Sequence, residues 1–166
     1  MKQKVMNHIK NNWQEYASFI SMIMLIVLGL IYAFNLNNFD FNYPLAYYGG
    51  DDMGGLQDAK LFAEQGWMLS TDRMGAPYSS DIYDFSSSLL HNFGLMIMKL
   101  CVLITCNYIV GFNIYYLSIF VLAGIVSYIV MRQLKINNWV TAAMSAVYGL
   151  SPYMIARGVG HMVLVM

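Results

Sequence analysis

The sequence predicts an all-α integral membrane protein, a multi-span helical bundle with a long outer loop that contains amphipathic and interfacial helices. Three observations predict it. Apolar residues make up 58% of the 166 and charged residues only 11%, well under the roughly 25% charged content of soluble domains. Long uncharged runs recur along the chain, and eight of the nine carboxylates are gathered between Asp40 and Asp84. A soluble enzyme is excluded by this composition. In segment 37 to 87 those carboxylates face only Lys60 and Arg73, so the loop is acidic and nucleic acid is not a partner.

Residues 1 to 16 read as a cytoplasmic N-terminus carrying Lys2, Lys4 and Lys10. Ala17 to Leu36 is uncharged and covers about 30 Å as a helix, the thickness of the hydrocarbon layer. It is transmembrane helix 1, retained as an anchor. A cleaved signal peptide is the competing reading, but the run exceeds an h-region and no Ala-x-Ala site follows. The preceding lysines put the N-terminus inside and residue 37 outside, which predicts a multi-pass protein of the cell membrane.

The outer loop is expected to run from 37 to 108. Leu56 to Trp67 has the pattern of a short amphipathic helix, with Leu56, Ala59, Phe62, Ala63 and Trp67 near one face and Lys60 and Glu64 paired at i,i+4. Turn formers fill Ser70 to Phe85, where Tyr78, Tyr83 and Phe85 are expected to hold an ordered loop down. The apolar stretch 88 to 106 places Ser88, Asn92 and Lys99 near one face and Leu89, Phe93, Met96, Ile97 and Leu100 on the other, an interfacial helix. The rival reading makes it a span and reverses every later element.

Transmembrane helix 2 is expected over 109–131 and transmembrane helix 3 over 139–156, joined by the basic cytoplasmic turn 132–138 with Arg132 and Lys135. Residues 157–166 form an outer segment. Cys101 and Cys106, five apart in an apolar stretch, match no metal-ligand spacing and read as packing residues.

The three spans contain no ionisable residue, whereas transport proteins bring such groups into the membrane. Charge collects at the outer boundary, which suits a reaction on a lipid-borne substrate at headgroup depth. Asp51 and Asp52, flanked by Gly49-Gly50 and Gly54-Gly55, are the candidate catalytic groups: a glycine-rich turn lets both carboxylates converge, as a general base with Asp52 as a metal-ligand neighbour for a divalent ion such as Mg or Mn. A solvated turn explains the same residues. Arg157 and His161, four apart, fall on one helical face within reach of a phosphate; an interfacial anchor accounts equally well for Arg157 and is the plainer role for His161. Lys60, Arg73, Arg157 and His161 are the candidate substrate contacts. Lys60 most simply pairs with Glu64, Lys99 snorkels to the headgroups, and Asp81 with Asp84 supplies either a second metal cluster or a hydrated loop.

Gly50-Asp51-Asp52, Asp58-Ala59-Lys60, Glu64-Gln65-Gly66-Trp67, Gly75-Ala76-Pro77, Ser151-Pro152-Tyr153, Ala156-Arg157 and His161 occur here in an order that resembles the N-terminal part of GT-C membrane glycosyltransferases, most of all their YfhO-like branch. The resemblance covers nearly the whole chain. It implies sugar transfer on the outer face from a polyprenyl-phosphate donor to a cell-envelope glycan, lipid or protein, with an acidic residue of the first outer loop as base. That role falls on Asp51 or Asp52, and the phosphate contact on Arg157. Enzymes of this family have many more spans than three, and Met166 stands inside a new apolar segment, so a fragment lacking part of the site is expected. The competing functions are a non-catalytic membrane assembly or regulatory subunit, and a transporter or flippase component.

Overall fold

The structure, a computed structural model, describes residues 12–45, 51–65, 70–72, 77–81 and 89–158. It is all-helical apart from loops and a two-residue antiparallel bridge, β1 (Ser70–Thr71) with β2 (Ser80–Asp81), in which Ser70 pairs with Asp81 and Thr71 with Ser80. The helices are α1 (Trp13–Ala33), α2 (Asp51–Gln65), α3 (Leu89–Thr105), α4 (Tyr108–Gln133), α5 (Asn138–Gly149) and α6 (Pro152–Gly158). Two of them, α1 and α4, are long and apolar enough to cross a membrane, each with a mean hydropathy of 2.2.

The chain divides into two compact units, one of residues 1–39 and 117–155, the other of 40–116 and 156–166. In the first unit α1 and α4 run antiparallel. Near one end Glu15 Oε1 is 3.5 Å from Arg132 Nε, and Ser18 meets Tyr128, while towards the other end the rings of Phe34 and Phe120 meet edge to face at 5.9 Å. The α1 residues that turn inward are Ser18, Met22, Ile26 and Leu30, spaced four apart as one stripe of a helix. Its other faces are apolar too, and Ile20, Met24, Leu25 and Leu28 are exposed. The interior of this unit also takes hydroxyl-bearing and small side chains: Ser18, Thr141 and Ser145 are fully buried, with Ala142, Ala146 and Gly149 buried on α5.

These small side chains sit among Met22, Ile26, Leu30 and Phe120, which are buried as well, and they let helix backbones approach closely. Gly149 shows how close: a Cβ there would lie 2.9 Å from the Phe120 carbonyl oxygen. Only glycine fits.

The expected third span, 139–156, is not one helix. Gly149 ends α5 at 12 residues, or about 18 Å, too short to cross a bilayer. Ser151 then starts α6 by accepting the Met154 N–H at 3.3 Å, and Pro152, whose missing N–H suits a first helical turn, cannot continue the bond ladder of α5. The basic turn before α5 is tightly made: Lys135 adopts a left-handed φ of 59°, Arg132 Nη1 donates to the Ile136 carbonyl at 2.6 Å, and Asn137 caps α5 through the Trp139 N–H at 2.9 Å.

In the second unit α2 packs on α3. Ala59, Leu61 and Phe62 of α2 are buried, as are Leu95, Met98 and Val102 of α3. The opposite side of α3 leaves Phe93, Met96, Leu100, Leu103 and Ile104 exposed. A sharp turn joins α3 to α4: Cys106 takes a φ of 51°, and Asn107 Oδ1 caps α4 by accepting the Ile109 N–H at 2.9 Å. Just past it, a Cβ on Gly111 would lie 2.7 Å from the Val102 Cα, so the two helix backbones touch. Tyr78, expected to pin the 70–85 loop, is instead 81% exposed. Tyr83 and Phe85 lie outside the described residues.

Candidate functional site

The acidic pair sits in a different local structure from the one its glycines suggest. Helix α2 begins at Asp51 rather than Leu56 and runs through Gly54 and Gly55 to Gln65. Asp51 and Asp52 are thus its first two positions, where unpaired backbone N–H groups and the helix dipole favour negative charge. Starting a helix on two acidic residues, worth about 0.3 to 1 kcal/mol each, offsets part of the roughly 1 kcal/mol cost of each interior glycine. Successive helix positions are turned by about 100°, so the helical backbone separates 51 and 52 where a tight turn would have converged them. The two-carboxylate convergence expected from the glycines is therefore replaced by one acidic position on each of two neighbouring ridges.

Helical spacing carries both ridges onto the docked side of α2. Positions 51, 55, 58 and 62 form one row and 52, 56 and 59 the next, and Ala59 and Phe62 are buried. Lys99 of α3 holds its ammonium 5.5 Å from the centre of the Phe62 ring, a cation–π contact in place of the snorkelling expected from sequence. Asp58 is half-buried and near enough to Tyr115 of α4 for its charge to act on that buried phenol. So α2 is held on α3 by the burial of Ala59 and Phe62 and by the Lys99 contact, and Asp51 and Asp52 are the first two residues of that helix.

Lys60 points elsewhere. Its Nζ is 3.9 Å from Glu64 Oε1, with the two side chains 53% and 36% exposed, a solvated i,i+4 pair worth no more than about 0.5 kcal/mol. Arg157 belongs to the backbone of α6, which ends at Gly158, so the expected helical pairing with His161 falls outside the described residues. Arg73 and Asp84 lie outside them as well, and Asp81 is a β2 residue. Among the described residues no three His, Cys, Asp or Glu side chains gather as a metal site. Of the sulfurs, Cys101 is half-buried and Cys106 exposed, both as free thiols.

Comparison with protein-family models, with curated proteins and with solved structures gives no match. The site is defined by its own groups. One of these the sequence reading passed over. Asn113 of α4 is fully buried, and its side-chain amide bonds the backbone of the segment 41–45 that leads to the acidic helix. A lone amide inside the uncharged run 109–131 was the available signal, and it was hidden by the absence of formal charge.

Proposed function

We propose that this chain is the N-terminal part of a membrane glycosyltransferase of GT-C type, which moves a sugar from a polyprenyl-phosphate donor to a cell-envelope acceptor on the outer membrane face. The observation that carries the reading is the docking of α2: an acidic first turn, Asp51-Asp52, stands at the end of a helix packed through Ala59 and Phe62 on the apolar helix α3. Phe93, Met96, Leu100 and Leu103 cover the far side of α3, a surface suited to lipid. In this reading the carboxylates act at headgroup depth, where a phosphate-linked sugar would lie.

The antiparallel packing of α1 on α4 supports the topology. If both cross, the chain leaves α1 and enters α4 on the same side, and α3 by itself does not cross. An interfacial α3 also spares Lys99 from the membrane centre, where it would cost about 2.5 to 3.5 kcal/mol. Both basic segments, Lys2 to Lys10 and Arg132 to Lys135, then fall inside.

In the reaction the acceptor hydroxyl gives its proton to Asp51 or Asp52 as its oxygen bonds the anomeric carbon. The bond from that carbon to the donor phosphate oxygen breaks, and the polyprenyl phosphate departs with the electron pair. Arg157 offsets the charge gathering on the phosphate, and Arg73 and His161 are further candidates for donor contact. A divalent ion at Asp52, if the complete enzyme binds one, would supply the same charge compensation.

The test uses the complete protein in membranes and a panel of short-chain polyprenyl-phosphate donors, each carrying one radiolabelled hexose. Asp51→Asn or Asp52→Asn is expected to cut transfer by about 10²- to 10⁴-fold with expression and insertion unchanged, because the swap removes a proton acceptor at nearly constant size. Arg157→Ala should raise the donor KM. Near-normal turnover in both aspartate variants would leave the acidic turn as a helix-stabilising feature and end the catalytic reading.

A further inference from the structure

Asn113 is 0% exposed within α4, among the buried side chains of Phe112, Tyr115, Tyr116 and Ile119. Burying an amide there is unfavourable unless all of its groups are bonded. They are: Nδ2 donates to the Phe41 carbonyl at 3.0 Å and to the Tyr43 carbonyl at 2.8 Å, and Oδ1 accepts the Leu45 N–H at 2.9 Å. The three backbone groups belong to alternate residues of a curled segment, in which 41 and 42 form a turn and the Tyr43 N–H donates to the Asp40 carbonyl at 3.0 Å, so one side chain gathers the polar groups of that turn. Pro44, which has no N–H, falls between them and asks for no partner. Asp40 fixes the near end of the segment, its Oδ1 accepting from the Asn42 N–H and from Asn42 Nδ2, each at 2.9 Å.

A leucine at 113 would pack in such a helix without any of these bonds, so packing alone does not account for the amide. What the amide adds is direction. It sets where residues 41–45 leave α4, and Asp51 follows Leu45 by six residues. We infer that Asn113 is a positioning residue, which clamps segment 41–45 to α4 and so fixes where the acidic first turn of α2 is presented. The inference rests on the proposed function only in taking Asp51 and Asp52 as the groups being placed.

The experiment measures backbone amide exchange across residues 41–45 in the full chain, reconstituted in lipid nanodiscs, for the wild type, Asn113→Leu and Asn113→Asp. Asn113→Leu removes donors and acceptor together, and protection of the segment should fall about tenfold or more. Asn113→Asp keeps an acceptor for Leu45 but turns a carboxylate onto two carbonyl oxygens. Its protonated form regains one donor, and burial favours that form, so protection lost near about pH 8 should return in part near about pH 5. The leucine variant and the wild type should show no such recovery. Unchanged protection in both variants overturns the clamp. If Asn113→Leu loses protection throughout α4 as well, the pH response of Asn113→Asp decides: recovery supports the clamp and its absence overturns it.

Sugar transfer from the same hexose donors then separates positioning from mere stability. Asn113→Asp should lower kcat at pH 8 with little change in donor KM and regain it towards pH 5, relative to the wild type at each pH. A loosened segment with wild-type kcat overturns the positioning role while leaving the glycosyltransferase reading standing. That reading fails separately, through unaffected Asp51→Asn and Asp52→Asn variants, and in that case the exchange result still judges the clamp.

Discussion

The Ser18 Oγ and the Tyr128 phenol oxygen lie 2.7 Å apart in the interior of the first unit, although 110 residues separate them in sequence. Both also reach the Glu15 carbonyl, Ser18 at 2.9 Å and Tyr128 at 3.2 Å, so three contacts share two hydroxyl protons. The Phe19 ring closes the group edge-on to Tyr128 at 5.2 Å between centroids. This joins the start of α1 to the end of α4 and gives the antiparallel pair its register. Tyr128→Phe keeps the ring contact and loses the hydrogen bonds. Its unfolding in increasing SDS should show a loss of about 0.6 to 1.7 kcal/mol, the range for such bonds between membrane helices. Ser18→Ala in the Tyr128→Phe background should add little.

Two glycines should respond with opposite signs. Gly149→Ala brings a Cβ to within 2.9 Å of the Phe120 carbonyl oxygen and 3.0 Å of Ile26 Cδ1, so α5 must move away. A destabilisation of about 1 to 3 kcal/mol is expected, as for overpacking elsewhere. Gly54, inside α2, has no atom within 4 Å of a Cβ placed there, so Gly54→Ala should gain about 0.5 to 1 kcal/mol from the lower backbone entropy of the unfolded chain. Paired thermal melts in one detergent measure both.

The proposed N-in topology is tested with an impermeant thiol reagent on intact cells, in a background with Cys101 and Cys106 replaced. Ser79→Cys should label and Asn137→Cys should not. Labelling at Asn137, alone or with Ser79, would reverse the sidedness on which the outer-face chemistry depends.

Lys60 is tested against its own partner. Because the Lys60 and Glu64 side chains are 53% and 36% exposed, Glu64→Gln should change stability by no more than about 0.5 kcal/mol. If Lys60 contacts the donor phosphate, Lys60→Ala should raise the donor KM and Glu64→Gln should not. Equal effects from the two would assign Lys60 to the helix surface.

The sequence by itself determined that α1 and α4 form as helices long and apolar enough to cross a membrane, since each rests on one uncharged run of that length. It also marked the basic turn around Arg132 and Lys135, the helical character of 88–106 and the pairing of Lys60 with Glu64, because each depends on neighbours within a few residues. Which stripe of α1 faces inward was not legible. Its exposed Ile20, Met24 and Leu28 are as apolar as its buried Met22, Ile26 and Leu30, and the choice is made by small and hydroxyl-bearing partners on α4 and α5 far along the chain. The break at Leu150 and Ser151 was hidden inside an apolar run because hydropathy does not register that Pro152 lacks an N–H. At the site, the glycines around Asp51 and Asp52 announced a turn, yet burial of Ala59 and Phe62 against α3 extends a helix through them, tertiary packing overriding local propensity. Only the tertiary structure could identify Asn113, whose amide looks like a stray polar residue until the backbone of 41–45 is brought against it.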